Sequence, residues 1–241
     1  MKVTQYDNLV QFTRLIAFNS YLVLEEDSIT VVDTNLPGSA KGILKAAAQF
    51  NRPIRRIVLT HLDDDHVGSL DALREQLPDA EVIVSARSAL RMAGNTGLLP
   101  GEPEGKLVNP YKGKTQATRT VSEGDRVGSL EVIAAPGHTP GHIALWDTRD
   151  GTLIAGDALC TQFKTFVTGV LVLRFPFLFT WHKPTALATA KNLRALNPKR
   201  LAVGHGRVLE NPLAEMDKAI REAESSFGRH SSELVTHSEG G

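Results

Sequence analysis

Short apolar runs alternate with stretches of helical spacing along nearly the whole chain. Runs rich in Val, Ile and Leu are typical of strands, and apolar residues three and four positions apart are typical of amphipathic helices. The pattern predicts strands over 19–26, 28–34, 56–60, 81–85, 127–137, 143–148, 152–157 and 200–203. It predicts helices over 39–50, 69–76, 184–196 and 212–224, and another that begins near residue 86. This alternation is typical of an α/β protein.

Four of the predicted strands end at a histidine or an aspartate. The runs IVLTH, VIAAPGH, TLIAGD and LAVGH end at His61, His138, Asp157 and His205, respectively. Strand ends tend to gather along one rim of a sheet, where ligands bind in many α/β proteins. A single histidine after a strand is usually a capping or core residue, but four such endings favour a shared site.

The stretch THLDDDHVGSL, residues 60–70, places three consecutive aspartates between two histidines. Carboxylates this close to one another repel unless a cation lies among them. The stretch therefore indicates a candidate metal site on the turn that follows a strand.

Length and charge narrow the classes of protein that need to be considered. The 241 residues suit one domain over 1–230, followed by a polar tail over 231–241 that we expect to be flexible. Lys and Arg together number 27, as do Asp and Glu, so no overall charge favours nucleic acid as a partner.

Cysteine content and hydropathy indicate the cellular compartment that we expect for the protein. Cys160 is the single cysteine of the sequence, which excludes an intramolecular disulfide and fits a reducing compartment. We interpret it as a buried structural thiol rather than a ligand or nucleophile. The first residues lack the apolar core of a signal peptide, and no run of 18 apolar residues exists. We therefore expect a cytoplasmic protein without a membrane span.

Taken together, these motifs resemble the metallo-β-lactamase superfamily of metallohydrolases. The first motif of that family is usually His-x-His-x-Asp-His, and this chain has HLDDDH over residues 61–66. The later family ligands match His138 in PGHTPGH, Asp157 in AGD and His205 in VGHG. The opening strands are also similar, although Asn35 stands where the family commonly has the Gly of an Asp-Thr-Gly turn.

The resemblance implies an αβ/βα sandwich of four layers, with two mixed β-sheets face to face and helices outside. It also implies two divalent metal ions at one edge of the sandwich. The implied ligands are His61, Asp63 and His138 for one ion, Asp65, His66 and His205 for the other, and Asp157 as the bridge between them.

Asp63 departs from the family pattern, which normally has its second histidine there. A carboxylate ligand lowers the formal charge of the centre by one unit, so we expect bound water to be less acidic. Oxygen ligands favour iron or manganese over zinc. The flavodiiron oxygen reductases of the same superfamily also carry a carboxylate here, although they normally add a flavin domain.

The alternative is that Asp63 does not ligate and that one metal lies at the second site. Asp64 is expected to point away from the metals and to cap the following helix.

The chemistry implied by the resemblance is hydrolysis of a small-molecule ester, lactone or thioester by a metal-bound hydroxide. Asp65 is the predicted catalytic residue, because it holds a metal and can orient the nucleophile or accept its proton. His142 is interpreted as a structural residue that positions the PGHTPGH loop.

The aromatic segment 162–182 is the predicted determinant of the substrate. It contains more aromatic residues than an ordinary exposed loop, which favours a wall for an apolar part of the substrate. The predicted substrate contacts are Phe166, Phe177, Trp181 and His182. Helix packing or a homodimer surface is the alternative for the segment, and a surface hydrogen bond is the alternative for His182.

Two other functions remain open from the sequence. Because Asp63 adds an oxygen ligand of the kind that favours iron, the protein could be an iron-dependent oxidoreductase related to flavodiiron proteins. It could also be a metal-binding protein with a modified site, although the six remaining ligands are intact.

Overall fold

The computed structural model describes residues 2–107, 109–170 and 179–236. The described strands form two large sheets. In spatial order, the first sheet contains β1 (Lys2–Tyr6), β2 (Leu9–Arg14), β3 (Phe18–Leu24), β4 (Ile29–Val32), β5 (Ile54–Val58), β6 (Glu81–Ser85) and β7 (Arg119–Val121). Strands β1 to β4 pair antiparallel and β4 to β7 pair parallel, so this sheet is mixed.

The second sheet comes from the other half of the chain. Its spatial order is β8 (Arg126–Val127), β9 (Leu130–Ala134), β10 (Ile143–Asp147), β11 (Thr152–Ile154), β14 (Arg200–Ala202) and β15 (Leu209–Glu210). Strand β11 is parallel to β14, and the other pairs are antiparallel. Between β11 and β14 in the chain, β12 (Leu159–Cys160) and β13 (Phe166–Val167) form a separate antiparallel pair.

Six described helices cover the outer faces of the two sheets. They are α1 (Ala40–Ala48), α2 (Asp64–Val67), α3 (Leu70–Gln76), α4 (Ala86–Met92), α5 (Lys183–Ala195) and α6 (Leu213–Thr236). Buried residues of α1 and α3 pack against the first sheet, and buried residues of α5 and α6 pack against the second. Val32, Val58, Val132 and Leu145 belong to a third apolar cluster, which lies between the sheets. The layers therefore follow the order helix, sheet, sheet, helix, as the sequence analysis predicted.

The N-terminal hairpin of β1 and β2 was not predicted. Tyr6 pairs with Leu9, and Asp7 between them adopts a left-handed φ of 48°. Aspartate tolerates this conformation better than most residues, and the turn joins the strands in two residues. Strand β7 was also missed, because its three residues give too short a pattern.

The C-terminal helix is longer than predicted. Helix α6 was expected to end at Glu224 but continues to Thr236, into the polar segment from Ser231 that we expected to be flexible. Within the described ranges, no helix has the length and apolar character needed to cross a membrane.

Candidate metal centre

The predicted ligands come together at one rim of the sandwich. His61 and Asp63 follow β5, Asp157 follows β11, and His205 follows β14. His138 lies in the turn between β9 and β10, and Asp65 and His66 lie on the short helix α2. The four residues at the predicted strand ends therefore lie at one rim, and their use as a shared site stays a prediction.

The ligand-type atoms fall into two adjacent groups. His61, His138 and Asp157 form the first group, in which the closest nitrogen and oxygen atoms all lie within 4.8 Å of one another. Asp65, His66 and His205 form the second group by the same measure. The second group contains the three residues that the sequence analysis expected for one ion, whereas the first contains Asp157 in place of the expected Asp63.

Asp157 lies between the two groups. Its Oδ2 atom is 3.8 Å from His138 Nε2 and 4.0 Å from His61 Nε2 in the first group. In the second group, Oδ2 is 3.1 Å from His205 Nε2 and Oδ1 is 3.2 Å from His66 Nε2. A carboxylate that lies this close to both groups is placed to contribute a ligand atom to each of them.

Asp63 also faces the first group. Its Oδ2 atom lies 3.1 Å from His138 Nε2 and 3.8 Å from His61 Nε2. Its Oδ1 atom is buried and has no hydrogen bond within the described part of the chain. Burial of a carboxylate oxygen without a partner is costly, so this atom is a candidate ligand.

Neighbouring oxygen atoms fix the orientation of three histidine rings. Nδ1 of His61 lies 3.0 Å from Thr60 Oγ1, and Nδ1 of His138 lies 3.2 Å from Thr168 Oγ1. Nδ1 of His66 lies 2.7 Å from Asp33 Oδ2. Each ring therefore turns its Nε2 atom toward the centre, which is how outer hydrogen bonds orient metal ligands in proteins.

Asp33 is a residue that the sequence analysis missed. Besides the bond to His66, its carboxylate accepts 2.8 Å hydrogen bonds from both the backbone N–H and the hydroxyl of Thr60. Asp33 thereby ties the residue before His61 to the ring of His66. The signal was present in the sequence, because Asp33 also follows a buried strand that ends at the same rim.

Asn19 and Tyr21 of β3 hold the loop that carries His205. The Asn19 amide donates to the carbonyls of Val203 at 2.9 Å and Gly206 at 2.7 Å. The Tyr21 hydroxyl donates to the Val203 carbonyl at 2.7 Å and accepts from the Val203 N–H at 3.0 Å. These bonds connect the first sheet to a ligand on the second.

Protons compete with a metal ion for the histidines of the second group. Burial opposes the charge of His66, but Asp157 and Asp33 outweigh it and raise its pKa well above the usual value. Burial likewise opposes the charge of His205, but the carboxylates of Asp157 and Asp65 raise its pKa to about 10. A metal ion that binds here must displace these protons.

The space between the groups fits a metal ion. A Cβ atom on Gly204 would lie 2.0 Å from Asp157 Oδ1, so the backbone approaches the carboxylate as closely as glycine allows. The buried atoms that lack a hydrogen bond in the described part of the chain include His61 Nε2, Asp63 Oδ1, Asp65 Oδ2 and Asp157 Oδ1. Such atoms, aimed into one region, are suited to coordinate a cation.

The structure corrects the role expected of Asp64 and supports those expected of His142 and Cys160. Asp64 does not cap the following helix, because Asp63 occupies that position and Asp64 accepts a hydrogen bond from Lys112 at the surface. Asn35 adopts a left-handed φ of 59°, which explains why asparagine can replace glycine there. His142 is buried, and its Nε2 accepts from the Asp157 N–H at 3.0 Å, a structural role as predicted. Cys160 is buried, which raises the pKa of its thiol to about 12.

The predicted substrate contacts receive little support. Phe166 is 2% exposed and packs in the apolar cluster under α5 and α6, so it does not line an open surface. Trp181 is also buried, and His182 caps α5 by accepting a hydrogen bond from the Thr185 N–H. Phe177 lies outside the described residues. Only part of the segment 162–182 is described, so its use as a dimer surface stays a prediction.

The sequence is similar to a known protein family and to several curated proteins. The family model of the metallo-beta-lactamase superfamily matches residues 17–205. YobT of Bacillus subtilis is 42% identical over 234 residues, covering 92% of this chain and 99% of that protein. The probable metallo-hydrolase YflN of the same organism is 30% identical over 203 residues and covers 76% of each chain. Hydroxyacylglutathione hydrolase of Aeromonas hydrophila is 31% identical over 150 residues, covering 59% of this chain and 48% of that enzyme.

Solved structures resemble the fold over most of its length. The DIM-1 metallo-beta-lactamase superposes with a TM-score of 0.69 at 15% identity, covering 93% of this chain and 96% of that one. The BLEG-1 B3 metallo-beta-lactamase superposes with a TM-score of 0.65 at 22% identity, covering 86% and 95%, respectively. At these identities the likeness concerns the fold alone, and it confirms the predicted four-layer sandwich.

Proposed function

Because the chain belongs to the metallo-β-lactamase superfamily and is a metal-dependent hydrolase, we propose that it hydrolyses a small-molecule ester, lactone or thioester at a dinuclear metal centre. The observation that carries this proposal is the pair of adjacent ligand groups joined by Asp157. In this proposal the ligands of one ion are His61, Asp63, His138 and Asp157, and those of the other are Asp65, His66, His205 and Asp157.

Divalent ions bound at such a site would polarise the scissile carbonyl and make water nucleophilic at neutral pH. The protein supplies the orientation of the ligands through Asp33, Thr60 and Thr168, as described above. Asp65 has a more exposed side chain than Asp63 or Asp157, at 19% against 8% and 5%. Burial opposes its charge, but His66 and His205 lower its pKa, so Asp65 is ionised at neutral pH and can accept a proton.

The type of metal depends on Asp63 in this proposal. With Asp63 as a ligand, the first ion would have two carboxylates and two imidazoles around it. An oxygen-rich set of this kind favours iron or manganese more than the usual set of three histidines does. We therefore expect iron or manganese to compete with zinc for this site.

A thioester with an apolar portion is the substrate that we favour. The hydroxyacylglutathione hydrolases are thioester hydrolases, and they match about 60% of this chain. A cavity of about 820 Å³ beside Gly206, the residue after His205, is lined by exposed apolar side chains of Leu15, Ile16 and Phe163. Lys2 and Arg207 also line it, so the cavity suits a substrate that carries an anionic group as well as an apolar part.

The first experiment is elemental analysis of protein purified without added metal, followed by a panel of ester, lactone and thioester substrates. We expect about two metal ions per chain and hydrolysis of at least one substrate class. Asp157→Ala should abolish hydrolysis and lower the metal content, whereas the control Asp64→Ala should do neither. Asp64 is a matched control because its exposed carboxylate pairs with Lys112 outside the site.

Three outcomes would contradict parts of this proposal. One metal per chain would exclude the dinuclear centre, and two zinc ions without iron or manganese would exclude the metal preference assigned to Asp63. Oxygen consumption by an iron-loaded protein that hydrolyses no substrate would favour the oxidoreductase alternative instead.

A further inference from the structure

The end of the aromatic segment, residues 180–182, is bonded to the backbone of the turn that carries His138. The Trp181 N–H donates to the His138 carbonyl at 2.9 Å, and the His182 N–H donates to the Gly137 carbonyl at 3.0 Å. Because two consecutive residues are bonded to it, the end of the segment has a fixed position along this turn. Thr180 is therefore held beside a candidate metal ligand.

Two threonine hydroxyls connect the same segment to the ring of His138. Nδ1 of His138 lies 3.2 Å from Thr168 Oγ1, and Thr168 Oγ1 lies 2.7 Å from Thr180 Oγ1. We call this pair of hydroxyls, Thr168 and Thr180, the two-hydroxyl bridge. Thr168 is 1% exposed, so water has little access to replace either contact. Thr180 thus reaches the ring through one intermediate hydroxyl.

The hydrogens of the two-hydroxyl bridge have one consistent arrangement when His138 uses Nε2 as a ligand atom. Nδ1 then keeps its hydrogen and donates to Thr168 Oγ1. The Thr168 hydroxyl must give its own hydrogen to an acceptor, because a buried donor without a partner is costly. In the part of the chain that the structure describes, Thr180 Oγ1 is the other partner of this hydroxyl. Thr168 therefore donates to Thr180.

Close packing holds Thr180 at this position. Gly169, the residue after Thr168, has a left-handed φ of 87°. A Cβ atom on Gly169 would lie 3.2 Å from both Thr180 Cβ and Lys183 Cγ. Thr180 is therefore packed against the backbone that follows Thr168, which keeps the two hydroxyls within bonding distance.

We propose that Thr180 is a positioning residue of the candidate metal centre, which orients the ring of His138 through the hydroxyl of Thr168. This inference rests on the metal centre of the proposed function. It assigns the end of the aromatic segment a role toward a candidate ligand, whereas the sequence analysis expected this segment to contact substrate.

The zinc affinity of the full chain, measured by competition with a chromophoric chelator, tests the proposal without any substrate. Thr168→Val removes the partner of the His138 ring and should weaken zinc binding at least about tenfold. Thr180→Val removes the outer hydroxyl and should weaken it at least about fivefold. Thr180→Ser keeps a hydroxyl at the same position and should bind zinc within about twofold of the native affinity.

The double variant shows whether Thr180 acts through Thr168. Because Thr168→Val already breaks the two-hydroxyl bridge, adding Thr180→Val should change the zinc affinity by less than about twofold. Thr165→Val is the matched control, since Thr165 also flanks β13 and its buried hydroxyl donates to Glu215 instead of a candidate ligand. This control should bind zinc within about twofold of the native affinity.

Native zinc affinity in Thr180→Val would overturn the proposal, as would equal losses in Thr180→Ser and Thr180→Val or independent losses in the double variant. If Thr168→Val does not fold, the comparison of Thr180→Ser with Thr180→Val decides the question alone. A native protein that binds no zinc after removal of its metal would also overturn the proposal. Zinc binding without hydrolysis of any substrate would instead count against the proposed function alone.

Discussion

Single residues outside the candidate ligand set orient the side chains of the candidate ligands. Asp33 contacts His66 directly and Thr60 beside His61, so one carboxylate orients parts of both ligand groups. Gly204 acts differently, because its missing side chain leaves room for Asp157. In both cases the residue stabilises the geometry of the site without being placed to bind metal itself.

Asp33→Asn should weaken metal binding roughly 10- to 100-fold, the usual effect of removing an outer carboxylate that orients a histidine ligand. The affinity can be measured by competition with a chromophoric chelator. Asp64→Asn, which alters an exposed carboxylate paired with Lys112, should leave the affinity unchanged. An equal loss in both variants would mean that Asp33 has no specific role in orientation.

Gly204→Ala should lower the metal content below that of the native protein, because its Cβ would lie 2.0 Å from Asp157 Oδ1 and 2.6 Å from the His66 ring. Elemental analysis measures the effect. Gly228→Ala is the control, since a Cβ atom there meets no neighbour within 4 Å. Full metal content in Gly204→Ala would show that the site has more room than the structure indicates.

At the scale of secondary structure elements, the site depends on contacts between strands of different sheets. Strand β3 supplies Asn19 and Tyr21, which hold the backbone after β14. Arg149, just after β10, pairs with Asp147 and donates to the Leu24 carbonyl at the end of β3. Polar contacts of this kind fix how the two sheets align, which apolar packing alone specifies less sharply.

Tyr21→Phe should lower the free energy of unfolding by about 1–3 kcal/mol, because it leaves the buried Val203 N–H without its acceptor. Urea denaturation measures the loss. Tyr6→Phe is the control, since that ring lies at the partly exposed end of β1. A loss in Tyr21→Phe no larger than in Tyr6→Phe would show that the hydroxyl does not join the sheets.

For the whole molecule, metal binding and protonation are linked. His66 and His205 have a raised pKa in the folded chain, about 10 for His205. Their contribution to the stability of the metal-free protein is fully present below the unfolded pKa of about 6.5 and is lost as the pH rises toward 10. Metal binding changes in the opposite direction, since fewer protons compete for the ligands at high pH.

Chelation should therefore lower the melting temperature at every pH, and the decrease should grow between pH 6 and pH 9. Differential scanning fluorimetry with and without chelator measures it, and re-addition of metal should restore the original value. A decrease of the same size at all pH values would show that the histidines do not exchange protons for metal.

The sequence by itself determined most of the longer elements and indicated the candidate ligand residues. Strand and helix periodicity depends on neighbours a few positions apart, so it is readable along the chain. The strand ends at His61, His138, Asp157 and His205 were readable for the same reason, and the order of the motifs indicated the family. The short hairpin at residues 2–14 and the end of α6 were not, since tertiary contacts stabilise marginal elements.

Only the tertiary structure decided which residues support the ligands. Asp33 is hydrogen-bonded to His66, which lies 33 positions away in the sequence, and Asn19 to Gly206, which lies 187 positions away. The side chain of Phe166, predicted to contact substrate, is instead buried beneath α5 and α6. Contacts between residues so far apart leave no local pattern, because chain folding alone brings them within bonding distance.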